Sequence, residues 1–505
     1  MPDGTALAAA TGAGGFWLVA ALLVPVAGIL LALVPGGRAA ERLAPVAMAA
    51  GLAVAAAIAM AVVRAGGPVV YVLGGWTPPL GIALRADGLS AAMLLVTAVV
   101  MTGVGLFAQG EYATPAGSGE ARRPLVFWTL WLGVWLALNA VFVGDDLFNL
   151  FVALEVLTFS AVPLVCLDGR AATLEAALRY LLFALLGSVL FLLGAALLYG
   201  AAGTLDIPGL AARLRPGPAV WAALVLMTVG LMLKTALFPL HMWLPPAHAG
   251  APPAASAMLS ALVVKASFFL IVRLWFDVMP PLPSPLPAQL LGTLGAMAIL
   301  FGSVLALRQA RLKLLVAYST IAQIGYLFLV LPIVAGLPAA QAAGSGAWTG
   351  GMLQLAAHAL AKAAMFMAAG LVARALGHDR IEAFGGLGRA LPLTVLAFAL
   401  GGLTLMGLPP SGGFVAKWLL STAAVAGGQW WWGLVILAGG LLTGCYLFRV
   451  LAPALAGDAP PLMAPVARRQ ELAVLALAVA SVLLGFLPLG ALQLVAIGRV
   501  AAGSG

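Results

Sequence analysis

Five lysines occur in this chain of 505 residues, and four of them, Lys234, Lys265, Lys362 and Lys417, fall inside long apolar runs. The arginines mostly occupy the intervals between those runs. An arginine keeps its proton in any protein setting, whereas a lysine amine drawn into a low dielectric can release one, so the partition separates proton-exchangeable groups from fixed charges. A lysine at mid-helix costs about 2.5 to 3.5 kcal/mol on insertion, which roughly 20 apolar neighbours worth about 0.3 to 0.6 each can offset. A single such amine would serve as well for anchoring two helices; four together point to proton carriage.

Glu155, in "FVALEVLTFSAVPL", is the one carboxylate well inside an apolar run, and it needs a cation beside it to stay ionised there. Spacing alone does not choose among the four lysines, and a static ion pair is the plainer alternative. In "LQLAAHALAKAAMFMAAG", His358 and Lys362 are four apart and share a helix face, a geometry in which imidazole and amine can exchange a proton through water. His241, in "GLMLKTALFPLHMWLPP", is a further candidate, although a lone membrane histidine also serves as a simple interhelical hydrogen-bond donor. His248 and His378 are read as interfacial. "HMWLPPAH" has two prolines between its histidines and no third ligand nearby, so no metal site is expected. Cys166 and Cys445 stand alone, which gives neither a cluster motif nor a thiol pair, and no GxGxxG or P-loop appears; no cofactor is expected.

The elements that must position these groups follow from composition. The chain is 64% hydrophobic and 8% charged, with mean hydropathy +1.13, which marks an integral membrane protein. Apolar windows of about 20 residues recur to the end of the sequence and give about fourteen membrane-spanning helices, an all-α architecture. The net charge of +9 is read through the positive-inside rule rather than as a nucleic-acid footprint. Odd-numbered loops hold Arg38, Arg42, Arg122, Arg123, Arg170, Arg308, Arg311, Lys313, Arg374, Arg380, Arg389, Arg468 and Arg469, whereas even ones hold Arg64, Arg85, Arg213, Arg215 and Arg273. Odd loops are therefore expected in the cytoplasm of a bacterial cell and both termini outside its inner membrane. The opening "MPDGTALAAATGAGG" lacks a basic region and reads as retained, and Trp430, Trp431 and Trp432 read as an interfacial belt.

Two spans should be interrupted. Pro239 follows Lys234 by five residues in the span 219–244, and "LMGLPPSGGFVAKWLL" puts Pro409, Pro410, Gly412 and Gly413 before Lys417 in the span 391–425. Paired breaks in corresponding places signal two inverted five-helix repeats, with helices 7 and 12 broken. The expected units are residues 1–124 (helices 1–3), 125–277 (first repeat), 286–455 (second repeat) and 471–505 (helix 14, near 471–496).

These segments, with "KTALFPLHMWLPPAHAGAPPAASAMLSALVVK" and "GLPPSGGFVAKWLL", resemble the antiporter-like membrane subunits shared by respiratory complex I (its L, M and N types), Mrp Na⁺/H⁺ antiporters (their D type) and membrane-bound hydrogenases. The resemblance spans roughly residues 70–450. It implies a fourteen-helix core, a polar axis across the membrane centre and other membrane subunits as partners. Matched residue by residue, it makes Glu155 and Lys234 an ion pair, Lys265 the connecting lysine, His358 and Lys362 the central relay and Lys417 the exit. Pro246 stands where the family often has an acid, and the position of Lys417 is glutamate in the M type.

The expected function is proton translocation by a subunit of a multisubunit complex that is not catalytic alone. Na⁺/H⁺ exchange is the transport alternative, and a passive membrane scaffold for a redox complex is the other.

Overall fold

A backbone surrounded by lipid must satisfy its N–H and C=O groups within its own segment, so the Ala-, Leu- and Val-rich runs fold as helices. The computed structural model describes residues 14–34, 36–114, 121–279, 284–335 and 345–498. Residues 1–13 of the opening segment, expected to be retained, and the positions of both chain ends lie outside the described residues.

In chain order the helices are α1 Phe16–Leu33, α2 Gly37–Ala65, α3 Gly88–Ala108, α4 Arg122–Val143, α5 Leu147–Val165, α6 Ala171–Ala202 and α7 Pro218–Thr235. There follow the short α8 Leu244–Gly250, then α9 Pro253–Val278, α10 Leu286–Arg308, α11 Leu312–Ala335 and α12 Gly346–Leu376. The last are α13 Pro392–Met406, α14 Gly412–Ala426, α15 Trp430–Leu455 and α16 Arg468–Leu483. Among the described residues 13 helical segments are long and apolar enough to cross a membrane, and the two shorter helices α13 and α14 make one further, interrupted crossing. α9 is buried on all sides and α11 and α12 nearly so, whereas α1, α6 and α15 turn leucine-rich faces outward.

One expected break is found and two details depart from expectation. The span near 219–244 is helical only to Thr235 and resumes at Leu244; the last crossing loses α-helical form after Leu483. The all-α reading also omitted a hairpin before α3, in which β1 Val69–Val72 pairs antiparallel with β2 Ala83–Ala86. Its "VVYV" is β-branched and aromatic but only four residues long, too short to stand out beside the helical runs.

Both breaks are closed by backbone geometry as well as proline. α7 ends with Ala236 in the left-handed region (φ 59°), and the Leu237 N–H donates back to Met232 O at 3.2 Å. α13 ends the same way, with Gly407 at φ 83° and the Leu408 N–H donating to Leu403 O at 3.2 Å.

A second correspondence links the halves. At the start of α5, the Leu147 N–H donates to Leu205 O and the Ile207 N–H to Asp145 O, both at 2.9 Å. At the start of α11, the Leu312 N–H donates to Asp379 O at 2.8 Å and the Ile381 N–H to Ala310 O at 2.9 Å. Five crossings separate the two helix starts (α5, α6, broken α7/α8, α9, α10), so the same small ladder stands on opposite faces of the membrane.

Candidate functional site

Glu155 on α5 meets Lys234 in the last turn of α7, with Nζ 3.4 Å from Oε1. The Lys234 amine also donates to Thr158 Oγ1 at 3.0 Å, one turn along α5 from Glu155, and Ser188 of α6 donates its hydroxyl to the Glu155 carboxylate. The pair is possible because α6 and α7 touch backbone to backbone: a Cβ on Gly187 would sit 2.5 Å from Gly230 O, and one on Gly230 would collide with Gly187 O. The Glu155 side chain retains 17% of its exposure against 6% for Lys234, because neighbouring Val152, Val156 and Phe159 face outward. The carboxylate end of the site lies near the lateral surface.

Lys265 and Lys362 are both fully buried. α9 widens to π-helical register over Leu259–Val263, and the Ser260 carbonyl accepts from the Lys265 amine. Ser260 Oγ lies 2.8 Å from Thr320 Oγ1 on α11, which donates to Val316 O at 3.1 Å. That carbonyl also accepts from the Lys362 amine, and Ser319 Oγ accepts from the same amine at 2.8 Å. Polar atoms thus lie between two lysines on different helices, the Ser260 and Thr320 hydroxyls able to donate and accept and the two main-chain carbonyls accepting only.

Lys417 is reached along the same helices. One turn beyond Ser319, Gln323 of α11 donates through Nε2 to Leu405 O at 3.1 Å and accepts from Gln354 Nε2 of α12 at 3.0 Å. Lys417, on α14, donates to Leu405 O at 2.6 Å and to Met406 O at 3.2 Å, the carbonyls that the end of α13 leaves without a helical partner. Its ammonium also lies 4.1 Å from the centre of the Tyr326 ring. His358 is buried between Gln354 and Lys362 on the same face of α12, with neither ring nitrogen hydrogen-bonded among the described residues.

Several links are not made directly: among the described residues no hydrogen bond joins His358 to Lys362 or Lys362 to Lys417. Among the described residues no side-chain hydrogen bond joins Lys234 to Lys265. His241 packs its ring between Phe238 and Phe301, with centroids 5.6 and 5.2 Å away, and its Nδ1 has no hydrogen-bond partner among the described residues.

Sequence reasoning missed several participants. Gln323 and Gln354 were legible: Gln354, His358 and Lys362 repeat every four residues, and Ser319, Thr320 and Gln323 form a polar stripe on an apolar helix. Lys313, read as a loop charge, is buried in the first turn of α11 and donates to Ala251 O at 2.6 Å. His248, read as interfacial, is fully buried with its ring stacked 4.4 Å from that of Phe366. Arg273, read as a loop residue, lies within α9 and donates to Asp87 at 2.5 and 2.7 Å, Asp277 at 2.7 Å and Ser90 at 2.9 Å. Cationic neighbours 186 residues away leave no local signature at Asp87.

Broken crossings in matching places around a row of buried amines define an antiporter-like membrane subunit. The chain belongs to the family described as "NADH:quinone oxidoreductase/Mrp antiporter, TM", which matches residues 144–443. It is 35% identical over 416 residues to the N subunit of the NADH-quinone oxidoreductase of Desulforudis audaxviator, covering 80% of this chain and 79% of that one. Against the D-type subunit of the Na(+)/H(+) antiporter of Alkalihalophilus pseudofirmus it is 30% identical over 395 residues, covering 78% and 77%. Its fold is similar to a chain in the Mrp complex from Dietzia sp. DQ12-45-1b, with TM-score 0.85, 26% identity and 97% of each chain covered.

Proposed function

We propose that this protein moves protons across a bacterial cell membrane as one subunit of a multisubunit complex, along the axis Glu155, Lys234, Lys265, His358, Lys362 and Lys417. The reading rests above all on the linked polar atoms from Lys265 through Ser260, Thr320 and Val316 to Lys362. Glu155 holds the proton of Lys234 while the pair is closed, and separating the two releases it toward Lys265. Water crosses the intervals that side chains do not span. His241 serves as an auxiliary exchange group at the first break.

The partners are other membrane subunits, as the relatives' names suggest. The arginine-rich face is the cytoplasmic one and both termini lie outside. Residues 125–277 and 286–455 are the two inverted halves, supported by the paired breaks and the mirrored ladders. A second reading, Na⁺ exchange, draws on the antiporter relative and on the oxygen-lined setting of Glu155, with Thr158 and Ser188 beside it. Beyond Glu155 the axis presents amines, which repel a cation.

The test is proton flux in the assembled complex carrying Lys362→Arg or Lys362→Met. Arginine keeps the charge and loses exchangeability, so both variants should drop at least about tenfold, and a purely structural ammonium would tolerate arginine far better. Near-normal flux in both defeats the relay, and loss of flux without sodium would favour the second reading.

A further inference from the structure

On the arginine-rich face, α2 and α16 both begin beside the end of α3, away from the axis. Arg38 and Arg42 from α2, and Arg469 from α16, line an open cavity of about 380 Å³ together with Glu41, Gln109 and Thr114. Glu41 is engaged in the wall, where its Oε2 accepts from the Thr114 N–H at 2.9 Å, and Arg469 donates to Gln109 O at 3.5 Å. Neither helix has a side-chain cap, so the remaining free first-turn N–H groups of both stand beside three guanidiniums, with Glu471 in the first turn of α16 engaged by the Thr394 hydroxyl. One turn deeper, Val46 of α2 and Leu472 of α16 are exposed apolar side chains. Neither lines the cavity itself: its cationic mouth stands above two exposed apolar helix faces that continue toward the hydrocarbon.

We propose that this groove binds the phosphate headgroup of an anionic phospholipid, with its acyl chains along Val46 and Leu472. Guanidinium forks suit phosphodiester oxygens, and basic recesses between membrane helices are the setting in which such headgroups are held. Free phosphate shares the headgroup chemistry and lacks the chain contacts. The inference depends on the membrane embedding and not on the transport reading.

The full chain would be reconstituted in phosphatidylcholine nanodiscs containing phosphatidylglycerol, released gently, and its retained lipids counted by native mass spectrometry. Wild-type protein should retain phosphatidylglycerol over phosphatidylcholine, and Arg42→Gln with Arg469→Gln should weaken that retention roughly thirtyfold, a little over fivefold for each charge. The control is Arg308→Gln with Arg380→Gln, which removes the same charge from exposed positions on the same face and should leave retention unchanged. Equal loss in both double variants would reduce the effect to diffuse surface charge and overturn the proposal, as would no loss in either. Displacement of the lipid by millimolar inorganic phosphate would assign the groove to a free anion instead.

Discussion

Lys234 is the one axis amine that faces an anion among the described residues; Lys265, Lys362 and Lys417 are held by carbonyls and hydroxyls. Glu155→Gln keeps the acceptor oxygen for Lys234 and Ser188 while removing the charge, so the subunit should assemble and coupled proton flux should fall at least about tenfold. Normal flux in a fully assembled variant would leave the pair a mere fastener. A second residue gives a pH test outside the membrane-spanning segments. Burial lifts Asp145 from 3.8 to about 7, against the pull of Arg85 and Arg273. Because the folded value lies above the unfolded one, its contribution to stability is complete below about pH 4 and is lost as pH rises through 7. Asp87 runs the other way: burial opposes ionisation, but the Arg273 guanidinium and the Ser90 N–H bring it down to about 2, so its contribution is constant from pH 5 to 8. The unfolding temperature of the wild type should therefore decline between pH 5 and 8 relative to Asp145→Asn, and parallel curves would refute the assignment. Residue type alone exposed the four axis lysines, because an amine in an apolar run is conspicuous. Lys313 escaped notice because Arg311 beside it makes the segment look like an ordinary interfacial cluster.

At the scale of elements, the broken crossing α13/α14 brings Lys417 from one helix onto the carbonyls that end another. Lys417→Glu replaces a donor by a group that still takes up and releases a proton, so partial flux should remain, whereas Lys417→Ala should abolish it. Flux would be measured in the assembled complex at matched expression, and full activity in the alanine variant would show that the exit runs elsewhere. The breaks were readable because proline and glycine act locally: Pro239, Pro409 and Gly412 punctuate the chain wherever they occur. The π-helical widening at Leu259–Val263 was not, since "LSALV" has no residue that forbids regular α-helix and the register is set by packing around a fully buried segment. The same holds for the left-handed Ala236, a conformation that alanine does not advertise.

For the whole molecule, the ladders at Leu147 and Leu312, five crossings apart, and the arginine partition both enter the proposed topology. With the native cysteines replaced by serine, a membrane-impermeant thiol reagent should label Arg215→Cys in intact cells and Asp458→Cys only in inverted vesicles. The reverse pattern would invert the proposed topology. Crossing number was legible since it depends on counts along the chain, and the sidedness read from the arginine counts is what the labelling tests. Which helices lie at the centre was not, because α9 and α6 are both apolar enough to cross a membrane and only the assembled bundle decides that one is enclosed and the other faces lipid. The amines of that enclosed centre rest on Ser260 O, Val316 O and Leu405 O, which are main-chain atoms. Point mutation exchanges side chains and leaves carbonyls where they are. The main-chain landing places of these amines are thus shielded from single-codon change, and heritable variation retunes this machine through the amines, through side chains that touch them such as Ser319 and Glu155, or through the residues that bend its helices.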